Sequence, residues 1–363
     1  METHFTLKIM FYHISSVFII WFCLLGQTAI SQGTISSEEE RFRVVFYNVE
    51  NLFDVYDDTL KRDNEFTPEG MRHWNNKKFY TKLNQIYRIV ISIGEWDPPA
   101  VVGLCEIENR FVLNKLVYDT PLKNIDYKIV HQESPDRRGI DVGLLYRPDK
   151  MQPVSHQAIL IRFPFDTASR TRDILYVKSL VNEKDTVHFY VNHWPSKYGG
   201  FMATEPKRAF VASVLKKHTD SILRVNPHAN IVVMGDFNDT PGDNSVLKEL
   251  DAHPDTIGLK NIDLYNLMYP LHDDWKMGTN KYQGEWSAID QFIVSGGMVK
   301  GVTGVRISPE GAKVFRPDYL IEKDMKFMGT KPFRTYGGAK YLGGYSDHFP
   351  IYLDLEFKPS ISH

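Results

Sequence analysis

Cysteine is nearly absent: two in 363 residues. Cys23 lies in an apolar N-terminal run, and Cys105 in "VVGLCEI". If the first 31 residues are removed, a single cysteine remains and no internal disulfide can form. Stability must then come from a packed core, with Cys105 as a small buried hydrophobe and no thiol chemistry. Charge of one sign is also missing. Lys and Arg number 43 against 45 Asp and Glu, a formal net charge of −2. That excludes a protein that binds nucleic acid through its overall field alone, though not an enzyme with a local basic groove. No repeat at a fixed period is visible. There is no long apolar run either: "ISSVFIIWFCLLG", residues 14–26, falls short of the about 20 residues a membrane span needs.

That short run follows one early lysine, Lys8, and precedes "TAIS". The pattern resembles a secretory signal peptide, with Ala29 and Ser31 at positions −3 and −1 of the cut. The expectation is a signal peptide over residues 1–31, a flexible stub over 32–41, and one catalytic-size domain over 42–358. The protein is then exported, to the periplasm or outside the cell, and an uncleaved N-terminal membrane anchor is the alternative. "IWFC" lacks the small residues that precede a lipoprotein cysteine, so lipidation is not expected.

Apolar residues make up 42% of the chain, enough for a large core. Residues 43–47, 98–107, 127–132, 141–147 and the pair around 173–194 read as strands. So do "ANIVVMGDF", "SAIDQFIVS" and "HFPIYLDLEF". Phe79, Leu83, Ile86, Val90 and Ile93 repeat at helical spacing, predicting a helix over 76–94 that Gly94 can end. Thr204, followed by Glu205 and Pro206, predicts a second helix capped at 204, with Val211, Val214, Leu215, His218 and Ile222 on its apolar face. Helices do not follow every strand, which argues against a regular doubly wound sheet or barrel. The order suggests an α/β fold of two packed mixed sheets with helices outside. Residues 311–345 show no periodicity and read as a long loop, a segment type that often carries function.

Several strands stop on polar residues. "VVMGDFND" ends in Asp236 and Asn238, which strand alternation places on one face with Phe237 turned into packing. Asn48, Glu106 and His193 end three more strands, Asp290 begins another, and Asp347 and His348 precede the last. Each alone is an ordinary turn or surface residue; the set is not.

"FYNVENL", "GLCEIEN", "VNHWPSK", "MGDFNDTP", "SAIDQFIVS" and "YSDHFPI" resemble, in order, the motifs of the endonuclease/exonuclease/phosphatase superfamily, the deoxyribonuclease I-like fold, over residues 43–356. The resemblance implies a four-layer sandwich of two packed mixed β-sheets flanked by helices, with the active site at one edge of the sheets. It also implies a metal-dependent phosphoric ester hydrolase. A hard divalent cation, Mg²⁺ with Mn²⁺ or Ca²⁺ as alternatives, would be held by oxygens and offset the phosphate charge. Glu106 is the expected metal ligand, with Asn48 and Asp347 helping directly or through water. Asp236 is expected to orient or deprotonate the attacking water and Asn238 to bind a phosphate oxygen. Asp290 is expected to hold His348 charged, so that the ring donates to a phosphoryl oxygen. His193 is the expected general acid for the leaving oxygen, with Asp141 either holding it in the same manner or simply closing a turn after Gly139.

Substrate clues are local. Trp194, Lys197 and Tyr198 follow His193 directly, and Arg138 lies in a basic "RRG". The segment from Lys313 to Lys340 interleaves cations with Tyr319, Phe327, Phe333 and Tyr336, a pattern that suits phosphates and stacked bases. The alternative is a solvated loop pinned by its aromatics. The expected substrate is a phosphodiester, in nucleic acid, cut by a secreted monomeric nuclease with no stable protein partner. A phosphatase or phospholipid phosphodiesterase of inositol phosphate or sphingomyelin type is the alternative. "WSAIDQF" stands where inositol-polyphosphate phosphatases carry "PWCDR", and no membrane-entering aromatic hairpin is evident, which weighs against both types. A catalytically inactive binding domain is the remaining class.

Overall fold

The computed structural model describes residues 41–358 except positions 273 and 275. The expected signal peptide, and the stub up to residue 40, lie outside the described residues. Among the described residues no helix is long and apolar enough to cross a membrane.

The sheets come from strands β1 Phe42–Leu52, β2 Val101–Ile107, β3 Lys128–His131, β4 Asp141–Tyr146, β5 Met151–Ile159, β6 Ile174–Val181, β7 Asp185–His193 and β8 Asn230–Asp236. They continue with β9 Ala252–His253, β10 Leu264–Asn266, the hairpin β11 Asn280–Tyr282 and β12 Glu285–Ser287, then β13 Asp290–Ser295 and β14 Val305–Val314. Two small ribbons follow, β15 Ile321–Lys323 with β16 Thr330–Pro332 and β17 Tyr336–Gly337 with β18 Lys340–Tyr341, and β19 Ile351–Phe357 closes the chain. The helices of the frame are α1 Asn76–Gly94, α2 Arg110–Tyr118 and α3 Phe201–Val225. Six strands form one sheet in the order β14-β19-β1-β2-β4-β3, and seven form the other, β5-β6-β7-β8-β13-β10-β9.

Alternation within the strands builds the layers. Along β1, Val45, Tyr47 and Val49 face α1 and α2, whereas Phe42, Val44 and Phe46 face the other sheet. Along β8, Val232 and Met234 meet the first sheet, and Ile231 and Val233 pack under Val211, Ala212, Leu215 and Leu223 of α3. The order helix, sheet, sheet, helix is the four-layer sandwich expected. Cys105 is free and fully buried between the sheets.

The expected helix over 76–94 forms, capped by Asn75, whose side chain accepts from the Lys78 N–H. Three expectations need correcting. Helix α3 begins at Phe201, so Thr204 is not its cap; its hydroxyl donates back to the Gly200 carbonyl at 2.8 Å, and Pro206 sits inside the helix. Strand β5 was not foreseen, because its exposed face and Pro153 hide the pattern; it is an edge strand with a register shift at that proline. The segment 311–345 is partly ordered, with β14 running to Val314 before the two ribbons.

Candidate functional site

Strand direction gathers the polar ends. β1 and β2 run parallel, so Asn48 and Glu106 lie at one end of their sheet. β7 and β8 run parallel with His193 opposite Asp236, and antiparallel β13 places Asp290 opposite Asp236 from the other side. β19 runs antiparallel to β1 with Ile351 opposite Phe46, so Asp347 and His348 arrive at the same end.

Side-chain parity then aims them. Asn48 continues the inward series of Val44 and Phe46, Asp236 that of Val232 and Met234, His193 that of Phe189 and Val191, and Asp290 that of Phe292 and Val294. Glu106 has the wrong parity: Val102 and Leu104 on its series face the helices. A break in the β2–β4 register between Cys105 and Ile107, with Glu106 at φ 59°, brings it into the cleft instead. Glu50, Asn51 and Asn238 also hold positive φ, at 51°, 59° and 52°. Such conformations cluster where a surrounding structure enforces them, typically at functional sites. The strand ends at Asp236, so Asn238 reaches the cleft through this left-handed turn and not through simple alternation.

The cleft holds about 520 Å³ and is lined by Glu106, His193, Asp236, Asn238, Asp347 and His348, with Arg138, Arg172 and Lys197 at its flank. Asp236 is its centre. Its Oδ2 accepts from Asn48 Nδ2 at 3.0 Å and lies 3.7 Å from His193 Nε2 and 3.9 Å from His348 Nε2. Its Oδ1 accepts from the Asn238 N–H at 2.9 Å. Burial, reinforced by Asp290 and opposed by His348, pushes the Asp236 carboxyl up to about 7.

The two imidazoles differ. His348 Nδ1 meets Asp290 Oδ2 at 2.7 Å. Burial alone would pull its proton affinity down, but Asp290 and Asp236 outweigh it and hold the ring well above the usual histidine range. The expected Asp290–His348 pair is therefore present. His193 is buried without a carboxylate at its back: Nδ1 has no hydrogen-bond partner. Burial, then Arg172, Arg138 and His348, hold it well below the usual range, so the ring is neutral. Asp141 does not hold His193. Its carboxylate accepts from Ser134 N–H and Oγ and meets His131 Nε2 at 3.1 Å, stapling the turn before β4.

Glu106 is partly open to the cleft. Its Oε2 accepts from the Asn51 N–H at 3.0 Å, and Oε1 lies 3.4 Å from Asn48 Nδ2 and 3.9 Å from His193 Nε2. Glu106, Asp236 and Asp347 share the cleft as carboxylates, an oxygen-only set that suits a hard divalent cation. Asp236, Asp290 and His348 also bring ligand-capable atoms within 4.8 Å of one another. Asn48 fits a ligand role poorly: its Oδ1 accepts from the Glu50 N–H and its amide hydrogens point at the two carboxylates. It acts as a donor that spaces them.

The substrate candidates divide. Asn238 Nδ2 donates one hydrogen to the Trp194 carbonyl at 3.0 Å, leaving the other amide hydrogen for a ligand. The Arg138 guanidinium bonds the neutral Asn51 Oδ1 at 2.5 Å. Lys197 is tied to Asp239 at 3.2 Å and Asp243 at 3.4 Å. Trp194 is buried edge-on against Phe237 and touches no open space. Tyr198 is 94% exposed beside Gly199 and Gly200, both at positive φ, and Tyr282 on the β11–β12 hairpin is 72% exposed; both line the cleft. Of the seven cations from Lys313 to Lys340, three pair with carboxylates, Lys313 with Glu310, Lys331 with Glu322 and Arg334 with Glu50 and Asp347, and Arg316 lies over Trp286 and Phe349.

Sequence reasoning missed Glu50, Arg172 and Tyr282. Arg172 donates to the His193 and Trp194 carbonyls and pairs with Asp136 at 3.1 Å. No local pattern marks it. Glu50 had a signal, since it lies two residues beyond Asn48 in the strand that carries the site.

The sequence profile described as "Endonuclease/Exonuclease/phosphatase family" matches residues 43–357. No curated protein matches the chain. Among solved structures, the human Nocturnin catalytic domain with bound sulfate superposes at TM-score 0.52 and 14% identity, covering 88% of this chain and 95% of that one. A mannosyl-6-phosphatase from Bacteroides thetaiotaomicron gives 0.53 and 14%, covering 87% and 100%. TDP2 from D. rerio, complexed with a single-strand DNA product, gives 0.51 and 13%, covering 87% and 99%. Identities this low establish a shared fold.

Proposed function

The chain belongs to the endonuclease/exonuclease/phosphatase family, and from that premise we propose that it is a divalent-cation-dependent phosphoester hydrolase with Asp236 as its base. The observation that carries this reading is a buried carboxylate at about 7 beside a carboxylate-held, charged His348. A cation held at Glu106, with Asp347 assisting, would offset the phosphate charge and stabilise the leaving oxygen.

Asp236 takes a proton from the attacking water, a task suited to a group that titrates near neutral pH. His348 donates its Nε2–H to a non-bridging phosphoryl oxygen, and Asp290 keeps the ring charged as negative charge grows there. Asn238 adds its free amide hydrogen. Neutral His193 serves as a hydrogen-bond donor through Nε2 and not as a stored proton, which revises the general-acid role expected from the resemblance.

None of the cations of the 313–340 segment lines the cleft, which favours a compact phosphate ester over a long duplex, with Arg138 as the accessible charge at the rim. A mannosyl phosphatase on the same fold accords with that. Single-stranded nucleic acid is the second reading. Tyr198 and Tyr282 favour it, since exposed aromatic faces stack bases, and it accords with the DNA-product complex of TDP2. Export is part of the proposal, with Gln32 as the first residue of the secreted form; the mass of protein recovered outside the cytoplasm checks it.

The deciding experiment offers sugar phosphates, inositol phosphates, single-stranded DNA and RNA, and sphingomyelin vesicles, each with Mg²⁺, Mn²⁺, Ca²⁺ or chelator. Hydrolysis that chelator and Glu106→Gln abolish, and that Asp236→Asn lowers by at least about 100-fold, is expected. No turnover of any phosphoester overturns the reading and leaves an inactive binding domain.

A further inference from the structure

Beside Glu106 lie two more carboxylates, Glu50 and Asp347, and one cationic side chain of the protein bridges them. Glu50 is buried, two residues beyond Asn48; Asp347 adjoins His348. Between them sits Arg334, from the loop after β16. Its Nη2 lies 3.1 Å from Glu50 Oε1 and 3.0 Å from Asp347 Oδ2, and its Nε lies 3.2 Å from the same Glu50 oxygen. The other Glu50 oxygen accepts from the Thr335 N–H at 2.6 Å. Thr335 is fixed in turn by fully buried Lys82, which donates to its Oγ1 at 2.6 Å and to the Tyr345 carbonyl. Both Glu50 oxygens are therefore occupied. Asp347 keeps only Oδ1 for the cleft, 4.0 Å from His348 Nε2.

Two acidic groups bridged by one positive nitrogen is the arrangement a divalent ion makes between carboxylates. Here the bridge is a guanidinium, which is permanently charged and weakly hydrated and needs no loading from solution. It also keeps Asp347 from turning away from the cleft.

We propose that Arg334 is a built-in substitute for a second divalent cation, so that the centre takes up one ion, at Glu106, and not two. The inference rests on the cation-dependent hydrolase reading above. Its consequence is that Glu50, Arg334 and Asp347 form a positioning unit whose charge does not vary with cation supply.

Counting Mn²⁺ by electron paramagnetic resonance during titration of the full chain tests this without reference to turnover. One bound ion is expected in the wild type, none in Glu106→Gln and one in Arg334→Lys. Two are expected in Arg334→Met, with the extra ion lost again in the Arg334→Met, Asp347→Asn double variant. Thermal melting by circular dichroism establishes that each variant is folded, and Arg334→Gln carries the same test should Arg334→Met not fold. Two ions in the wild type, or one ion in a folded Arg334→Met, overturns the inference and leaves the hydrolase reading standing. No bound Mn²⁺ in the wild type overturns both.

Discussion

Asp236 has a wall on either side, and each wall presents a buried imidazole. On the β7 wall His193 Nε2 stands 3.7 Å from Asp236 Oδ2; on the β13–β19 wall His348 Nε2 stands 3.9 Å from the same oxygen. Burial and distance are nearly matched, yet one ring is neutral and the other charged. The difference lies at the far nitrogen. Asp290 meets His348 Nδ1, whereas His193 Nδ1 meets nothing and Arg172 lies behind it. For two rings this buried, the partner on the remote side sets the charge, because desolvation penalises the ionised ring unless a counter-charge offsets it. One wall is thus fitted to receive negative charge and the other to donate a neutral hydrogen bond.

The centre of that comparison is tested first. Asp236→Asn removes the proton acceptor common to both walls and is expected to lower kcat by roughly 10²–10⁴-fold, measured under saturating substrate. His348→Gln and His193→Gln then separate the walls. An amide imitates a neutral donor but not a charged one, so His348→Gln is expected to cost roughly 10²–10³-fold in kcat. His193→Gln should stay within about 10-fold, the worth of one ordinary hydrogen bond. Equal losses in the two variants would erase the distinction between the walls.

The pH profile sharpens it. A carboxyl at about 7 must be ionised to act as base, so activity should rise with pH through about 7. His348, held above the usual imidazole range, must keep its proton, so activity should fall again at higher pH as that proton is lost. Asp290→Asn removes the counter-charge that raises His348. The alkaline limb should therefore move to lower pH by about one unit or more, with a loss of roughly 10-fold at pH 8. An unmoved limb would show that another group sets it. The smallest effect is expected outside both walls. Arg138→Ala should raise KM by about 5-fold at low salt, as for one exposed charge pair, and the effect should fade at high ionic strength.

Much of this was legible in the chain. The helix over 76–94 follows from spacing, and the site ends of β2, β7, β8, β13 and β19 are visible as apolar runs that stop on acids, amides or histidines. What stayed hidden depends on partners remote in sequence. Nothing around Arg334 announces that it pairs with Glu50, 284 positions away. That pairing ties one of the segment's cations to buried and cleft carboxylates in place of a solvated basic surface. The histidine partner of Asp141 is hidden for the same reason: it is chosen by the turn at 131–141 and not by its strand. Glu106 was identified from motif likeness, although strand alternation points it away from the cleft; the register break that re-aims it leaves no mark in the composition.

The loop holding Tyr198 ends in two glycines with open space where side chains would be. With Tyr282 and Glu285 at the tip of the β11–β12 hairpin it lines the cleft without carrying Asp236, His348 or Glu106, while the base of the hairpin is anchored to the site by Asn280, which bridges His348 and donates to the Asp347 carbonyl. Substrate choice and reaction chemistry are therefore separable by heredity: residues 196–200 and 282–285 can be randomised and screened for new phosphorylated compounds while the machinery that cleaves them is inherited unchanged.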